Sequence, residues 1–185
     1  VVLVSNRLLT DRYTADTRSR AEVRLALYTG NLMAELQRTS VVPLLLSRDP
    51  ELVQALRDSN FSATTAKLNA LQAQIGVASI RLLDNNGRVV GATNRNILGT
   101  NNRAEPYFVE AQRTKETIFS AVQRESGGFD FVYSRAVTYE GQVVGVIVVS
   151  VDLMKYERAW AGLQDAVLVI DSEGTVILAT EALWR

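Results

Sequence analysis

Ser120, Tyr133, Arg135, Ser150 and Asp152 each stand in or at the end of an apolar, strand-like run. Polar groups in such places either contact a ligand or satisfy the fold. Ser120 and Ser150 read equally as pocket hydroxyls or as core serines bonded to backbone. Tyr133 and Arg135 are two residues apart on one predicted strand, so they share a face, together with Phe131. That face is aromatic with Arg135 at its rim, as an anion contact or as half of a surface ion pair. Asp152 closes a very apolar run, where it anchors an amine or caps the helix that follows. Bond-breaking chemistry has fewer candidates. The chain has no histidine and no cysteine, which removes a histidine base, a thiolate nucleophile, a Cys/His zinc site and a histidine phosphoacceptor. It carries neither Gly-x-Ser-x-Gly nor a Walker phosphate loop. The expectation is a non-enzymatic chain without cofactor or metal.

One hairpin is written twice. Residues 80–93 and 167–180 align without gaps, 87 positions apart, with Asp84/Asp171, Gly87/Gly174, Val89/Val176, Ala92/Ala179 and Thr93/Thr180 identical. Each copy is an apolar run, an Asp-x-x-Gly turn and a second apolar run. Asp accepts hydrogen bonds from its own backbone two residues on, and Gly accepts positive φ, so these aspartates fit turns better than an acid/base pair. A strand–turn–strand opening repeated at this distance implies two copies of one small α/β module, the second only begun.

Lys+Arg and Asp+Glu are both 20, so no excess charge favours nucleic acid or an acidic membrane surface. No run of about 18 apolar residues is present, so membrane attachment would come only through segments outside this chain. The apolar opening Val1-Val2-Leu3-Val4 reads either as the end of a transmembrane helix or as an ordinary helix start.

From Leu8 to about Arg38 the only helix breaker is Gly30, and Leu25, Tyr28, Leu32 and Leu36 make a helical stripe. A long helix is expected there, either continuous or broken near Gly30, and stopped at Ser40–Pro43. Asp49-Pro50-Glu51 reads as cap, first position and first turn of a short helix to Arg57. Ala63–Gln74 is a further helix, ending at Gly76. After Gly76 the texture becomes strands: Ala78–Leu83, Arg88–Thr93, Thr117–Gln123, Phe129–Thr138 and Gln142–Leu153. Pro106 opens a short helix, and residues 123–128 form an exposed turn. Val143–Val151 is nearly all β-branched, as a central strand covered on both faces should be. The fold class is α+β, with a long N-terminal helix packed on a five-stranded antiparallel sheet. The domain reading is 1–75 helical, 76–153 a sensor-like module, and 154–185 a connector with the first hairpin of a second module.

The order of long helix, first hairpin, Gly99-Thr100-Asn101, Pro106-Tyr107-Phe108, strand Gly145–Leu153, Trp160, second hairpin and Leu183-Trp184-Arg185 resembles the extracytoplasmic sensor region of DctB-type histidine kinases. Those kinases sense four-carbon dicarboxylates. The resemblance covers nearly the whole chain and implies a tandem PAS-like (PDC, or double Cache) architecture. It further implies a periplasmic location, a pocket between the sheet and the loop–helix segment, and a ligand contact from Tyr107. Family members commonly carry a carboxylate-clamping Arg before Pro-Tyr-Phe, where this chain has Glu105, with Arg103 two residues upstream. They also tend to carry Lys where this chain has Ser150. Four-carbon diacids are therefore expected to bind weakly, unless Arg103 or Arg135 compensates. A small organic acid, amino acid or amine is the expected ligand, and the stripe Leu25/Tyr28/Leu32/Leu36 could serve a homodimer. The alternatives are the input domain of a chemoreceptor or diguanylate cyclase, or a dimerisation module without ligand.

Overall fold

The computed structural model describes residues 22–123, 129–161, 167–170 and 176–179. The opening 1–4, the expected helix over 8–21, the turn 124–128 and the closing 183–185 lie outside the described residues. The chain divides into two units between Glu35 and Leu36. Helix α1 runs over residues 22–40. It passes Gly30 unbroken, because one glycine costs a helix only about 1 kcal/mol relative to alanine. Along the expected stripe Leu25 is exposed, while Tyr28, Leu32 and Leu36 are half-buried.

The second unit continues with α2 (Val42–Leu46), α3 (Pro50–Asp58) and α4 (Thr64–Ile75). Helix α2 is a correction to the sequence reading, in which Pro43 is only a stop. A proline is tolerated in a first turn, where its missing N–H has no partner to lose. Asp49 caps α3 as expected, its Oδ1 accepting from the amides of Glu51 (2.9 Å) and Leu52 (3.2 Å). Helix α4 closes on Gly76 at φ 77°. Arg38, near the end of α1, donates to the carbonyls of Ile75 (2.8 Å) and Gly76 (3.2 Å), which are left open at that helix end.

Five strands follow: β1 (Ser79–Asp84), β2 (Val89–Ala92), β3 (Ile118–Gln123), β4 (Phe129–Tyr139) and β5 (Gln142–Ser150), with α5 (Pro106–Thr114) between β2 and β3. They form one antiparallel sheet in the order β2-β1-β5-β4-β3. The most apolar strand, β5, takes the central place, and Val146, Ile147, Val148 and Val149 are all inaccessible. It stops at Ser150, short of the expected Leu153.

Strand alternation sends residues to two different covers. Ile80, Leu82, Ile147 and Val149 pack with Leu52, Leu56 and Leu68 of α3 and α4. Leu83, Val132, Val146 and Val148 pack with Tyr107, Phe108 and Ala111 of α5. Each fully buried aliphatic side chain contributes roughly 1.5–3 kcal/mol, so both faces are firmly held.

Helix α6 (Met154–Ala161) leads to β6 (Leu168–Ile170) and β7 (Val176–Ala179), which form a separate two-stranded sheet. Its register repeats that of the first hairpin residue for residue. Arg81↔Ala92, Leu82↔Gly91 and Leu83↔Val89 become Leu168↔Ala179, Val169↔Leu178 and Ile170↔Val176, with the same one-residue shift. A bulge kept at one place in both copies marks a constrained hairpin rather than a chance likeness.

The first turn is also packed from outside. Gly87 has φ 80°, and a Cβ there would meet the Arg103 backbone Cα at 2.6 Å. Gly141 in the β4–β5 turn has φ 79° but open space around it. Gly141→Ala should therefore cost only the backbone term, about 1–2 kcal/mol. Gly87→Ala should cost clearly more in urea unfolding, because it also displaces the loop at Arg103. Equal losses in the two variants would show that this loop contact contributes nothing.

Candidate functional site

On the α5 face, cross-strand register sets the side chains in rows. One row is Ala92–Arg81–Val148–Ser134–Ile118, and the next is Ser79–Ser150–Val132–Ser120. Arginine and four serines thus interrupt a surface otherwise made of valine, leucine and alanine.

The cover over these rows is the loop 93–105 with α5. The loop runs beside β2: Val89 donates to Thr100 O (2.9 Å), Gly99 donates to Val89 O (2.8 Å) and Asn102 donates to Gly87 O (2.7 Å). Asp84 Oδ1 holds the turn below it, accepting from the amides of Asn86 (2.8 Å) and Arg88 (2.9 Å). Pro106 starts α5, as expected, with Glu105 at the N-cap position. Ser134 donates to the carbonyl of Tyr107 at 2.8 Å, pinning the first turn of α5 to the centre of the sheet.

Two polar atoms here are left over. The Tyr107 hydroxyl and Arg81 Nε are both buried, and neither makes a hydrogen bond of good geometry among the described residues. The Arg81 guanidinium carbon lies 5.4 Å from the centre of the Tyr107 ring, a cation–π distance. Burial pushes the Tyr107 phenol up from its ordinary pKa. The Arg81 charge pulls it down, the Glu105 charge pushes it up, and the nearby polar groups of Asn102 and Arg81 lower it further. A buried donor left unpaired costs about 1–3 kcal/mol, so two together make a place prepared for an acceptor. A carboxylate oxygen is such an acceptor, and a guanidinium is its best-matched partner.

The sequence-derived candidates scatter over this frame. Tyr107, Ser120 and Ser150 share the α5 face, with half-buried Glu105 at the start of the helix. Ser150 accepts from Ser79 Oγ at 2.7 Å. Arg103 is exposed on the loop, its amide donating to Asn101 Oδ1 at 2.9 Å. Asp152 Oδ1 accepts from the Lys155 amide at 3.3 Å, in the first turn of α6, which is the capping alternative. Tyr133 and Arg135 lie on the opposite face, paired across from Val149 and Ile147. Tyr133 packs on Phe119 there (ring centres 5.0 Å apart), and burial raises its phenol pKa. Arg135 donates to Glu116 Oε2 and Thr117 Oγ1, both at 3.2 Å. Sequence reasoning misses Arg81. Its signal is present: it is the one charge in the run Ile80–Leu83, and the second hairpin has Leu168 in its place.

Comparison with known proteins agrees with this frame. No protein-family model matches the chain. The C4-dicarboxylate transport sensor protein DctB of Pseudomonas aeruginosa is 31% identical over 169 residues, which is 87% of this chain and 28% of that protein. The sensor domain of the Vibrio cholerae histidine kinase DctB superposes with a TM-score of 0.78 at 24% identity, over 90% of this chain and 67% of the other. Over most of its length the chain is similar to the sensor regions of DctB-type proteins. The sensory domain of the Campylobacter jejuni chemoreceptor Tlp3, solved with isoleucine bound, shares the fold at TM-score 0.61 and 15% identity, over 85% of this chain and 67% of that one. The chain spans about a quarter of the curated relative it matches. Among the described residues no helix is long and apolar enough to cross a membrane, and no acidic cluster could hold a metal ion.

The unpaired phenol has a measurable consequence. Without ligand, Tyr107→Phe should leave stability unchanged or raise it by up to ~1 kcal/mol, since it removes an unsatisfied hydroxyl. The raised pKa sets the pH sign. The unfolded tyrosine ionises first, so wild-type stability is complete below the ordinary tyrosine range and falls as pH rises through it toward the folded value. The phenylalanine variant should lose less over that window in urea titrations. A loss of about 2 kcal/mol or more at neutral pH, the cost of stranding a buried partner, would mean the hydroxyl has a structural role.

Proposed function

We propose that this chain is the extracytoplasmic, periplasmic sensing region of a bacterial transmembrane sensor histidine kinase in two-component signalling. Its ligand is a small carboxylate-bearing molecule held between α5 and the sheet. The carrying observation is the buried pair Arg81 and Tyr107, whose Nε and hydroxyl make no hydrogen bond of good geometry although they lie close to each other and to Asn102. Arg81 takes the ligand carboxylate, the Tyr107 hydroxyl adds a second donor, and Ser120, Ser150 and Asn102 are polar wall. Glu105 places negative charge close to Tyr107. One carboxylate therefore suits the site better than two, and an amino acid or a monocarboxylate suits it better than succinate or malate. The two DctB matches, one of them from a histidine kinase, support the kinase reading over a chemoreceptor, although the fold serves both.

In this reading the hairpin β6–β7 opens a second PAS-like module, and 76–153 is the first. Ligand binding favours the state in which α5 and β1 close on the carboxylate. Strand β1 begins three residues after Gly76, whose carbonyl Arg38 holds, so the shift reaches the end of α1.

Thermal melting against organic acids, amino acids and amines tests the proposal. A ligand at a hundred times its Kd stabilises by about 2.7 kcal/mol, which is roughly 5–10 °C for a chain of this size. At least one carboxylate compound should give that shift, and Arg81→Gln, still folded, should abolish it. Succinate and malate should give little. Micromolar succinate binding lost on Arg103→Ala or Arg135→Ala, or shifts unaffected by Arg81→Gln, would contradict the assignment.

A further inference from the structure

Cations converge at the edge of the sheet, where α5 ends. Strand β3 pairs with β4 only as far as Ile118↔Ser134, so β4 beyond Ser134 is an uncovered edge. Against that edge lies a cavity of about 450 Å³ lined by Ser47, Arg48, Lys115, Arg135 and Thr138, among others. Its volume falls within the ~300–1,000 Å³ of small-molecule sites. Three of its walls are cationic and two carry hydroxyls, and the acidic contact among them is Glu116 on Arg135, a residue 74% exposed at its side chain. An ion pair with so exposed a carboxylate is weak and exchangeable.

The fold holds two of these cations by side-chain bonds and the third by its backbone. Lys115 ends α5 in a left-handed conformation (φ 58°), and its Nζ donates to Gly141 O at 3.0 Å. Arg135 is 18% exposed at its side chain and anchored by Thr117 Oγ1. Arg48 follows Ser47 in the α2–α3 turn, fixed by its amide bond to Leu45 O at 3.2 Å. Three elements distant in sequence therefore bring positive charge to one concave place.

We propose that this cavity is a second binding site, for a small, densely charged oxyanion, a phosphate or a tricarboxylate. It is independent of the carboxylate site at Arg81, since the sheet separates Arg135 from that face. Arg135 supplies a charge-assisted bond by exchanging Glu116 for the anion, Arg48 and Lys115 supply neutralising charge, and the Thr138 hydroxyl offers a further donor.

Isothermal calorimetry with inorganic phosphate and, separately, citrate tests this on the whole chain, against sodium chloride at equal ionic strength. The two arms distinguish phosphate from tricarboxylate as the preferred class. Saturable binding of at least one is expected, weakened about tenfold by Arg135→Gln and by the surface variant Arg48→Gln, and unchanged by Arg81→Gln. Circular dichroism confirms that each variant is folded. Binding of neither anion beyond the chloride control would overturn the proposal. So would binding that survives both cavity variants, or binding abolished by Arg81→Gln, which would place the anion at the α5 face.

Discussion

The α5 face is organised around one partly enclosed cation. Arg81 stands on the inner side of a sheet whose neighbours in its row are Ala92 and Val148, and its Nε is sealed from water without a partner. A charged group is tolerated in such a place only with compensation, and the Tyr107 ring face supplies part of it. Arg81 Nε is left without a hydrogen bond. An unliganded state that carries this cost is poised to gain more from an anion than a surface arginine would, because the local dielectric is lower and no solvent bond must be broken at Nε.

That constraint explains why the cover is built as it is. The loop must stay against the β1–β2 turn while its far end presents Tyr107 over the sheet. Gly87 permits the close approach, the pairing of Val89 with Thr100 and Gly99 keeps the loop in register, and Ser134 fixes the carbonyl of Tyr107. The other face does none of this work: it is filled by Leu52, Leu56 and Leu68 against Ile80, Leu82, Ile147 and Val149. Both faces bury a core, the proposed site lies on the α5 face, and β5 serves both faces through alternate residues.

Local signals in the sequence are legible where one residue type has one physical job. Asp49 and Pro50 begin a helix, Asp84 and Gly87 make a turn, and the repeat at 80–93 and 167–180 extends even to a shared bulge. The α+β class with a five-stranded antiparallel sheet follows from such signals. Strand parity correctly groups Tyr133 with Arg135, and Ser120 stands with Ser150. Parity does not say which group faces one helix and which another, because that depends on where α5 folds back. Arg81 escapes for a related reason: counting cations at motif positions near Pro106 and Ser150 overlooks one that arrives from the neighbouring strand. Helix α2 escapes because Pro43 reads more readily as a breaker than as a first-turn residue.

The most direct measurement is amide hydrogen exchange of the chain with and without a carboxylate ligand that stabilises it. Closure on Arg81 predicts slowed exchange in β1, in the loop 93–105 and in the first turn of α5, with α3 little changed. Protection confined to α3 and α4, with the loop and α5 unaffected, would contradict the account and place recognition on the other face of the sheet.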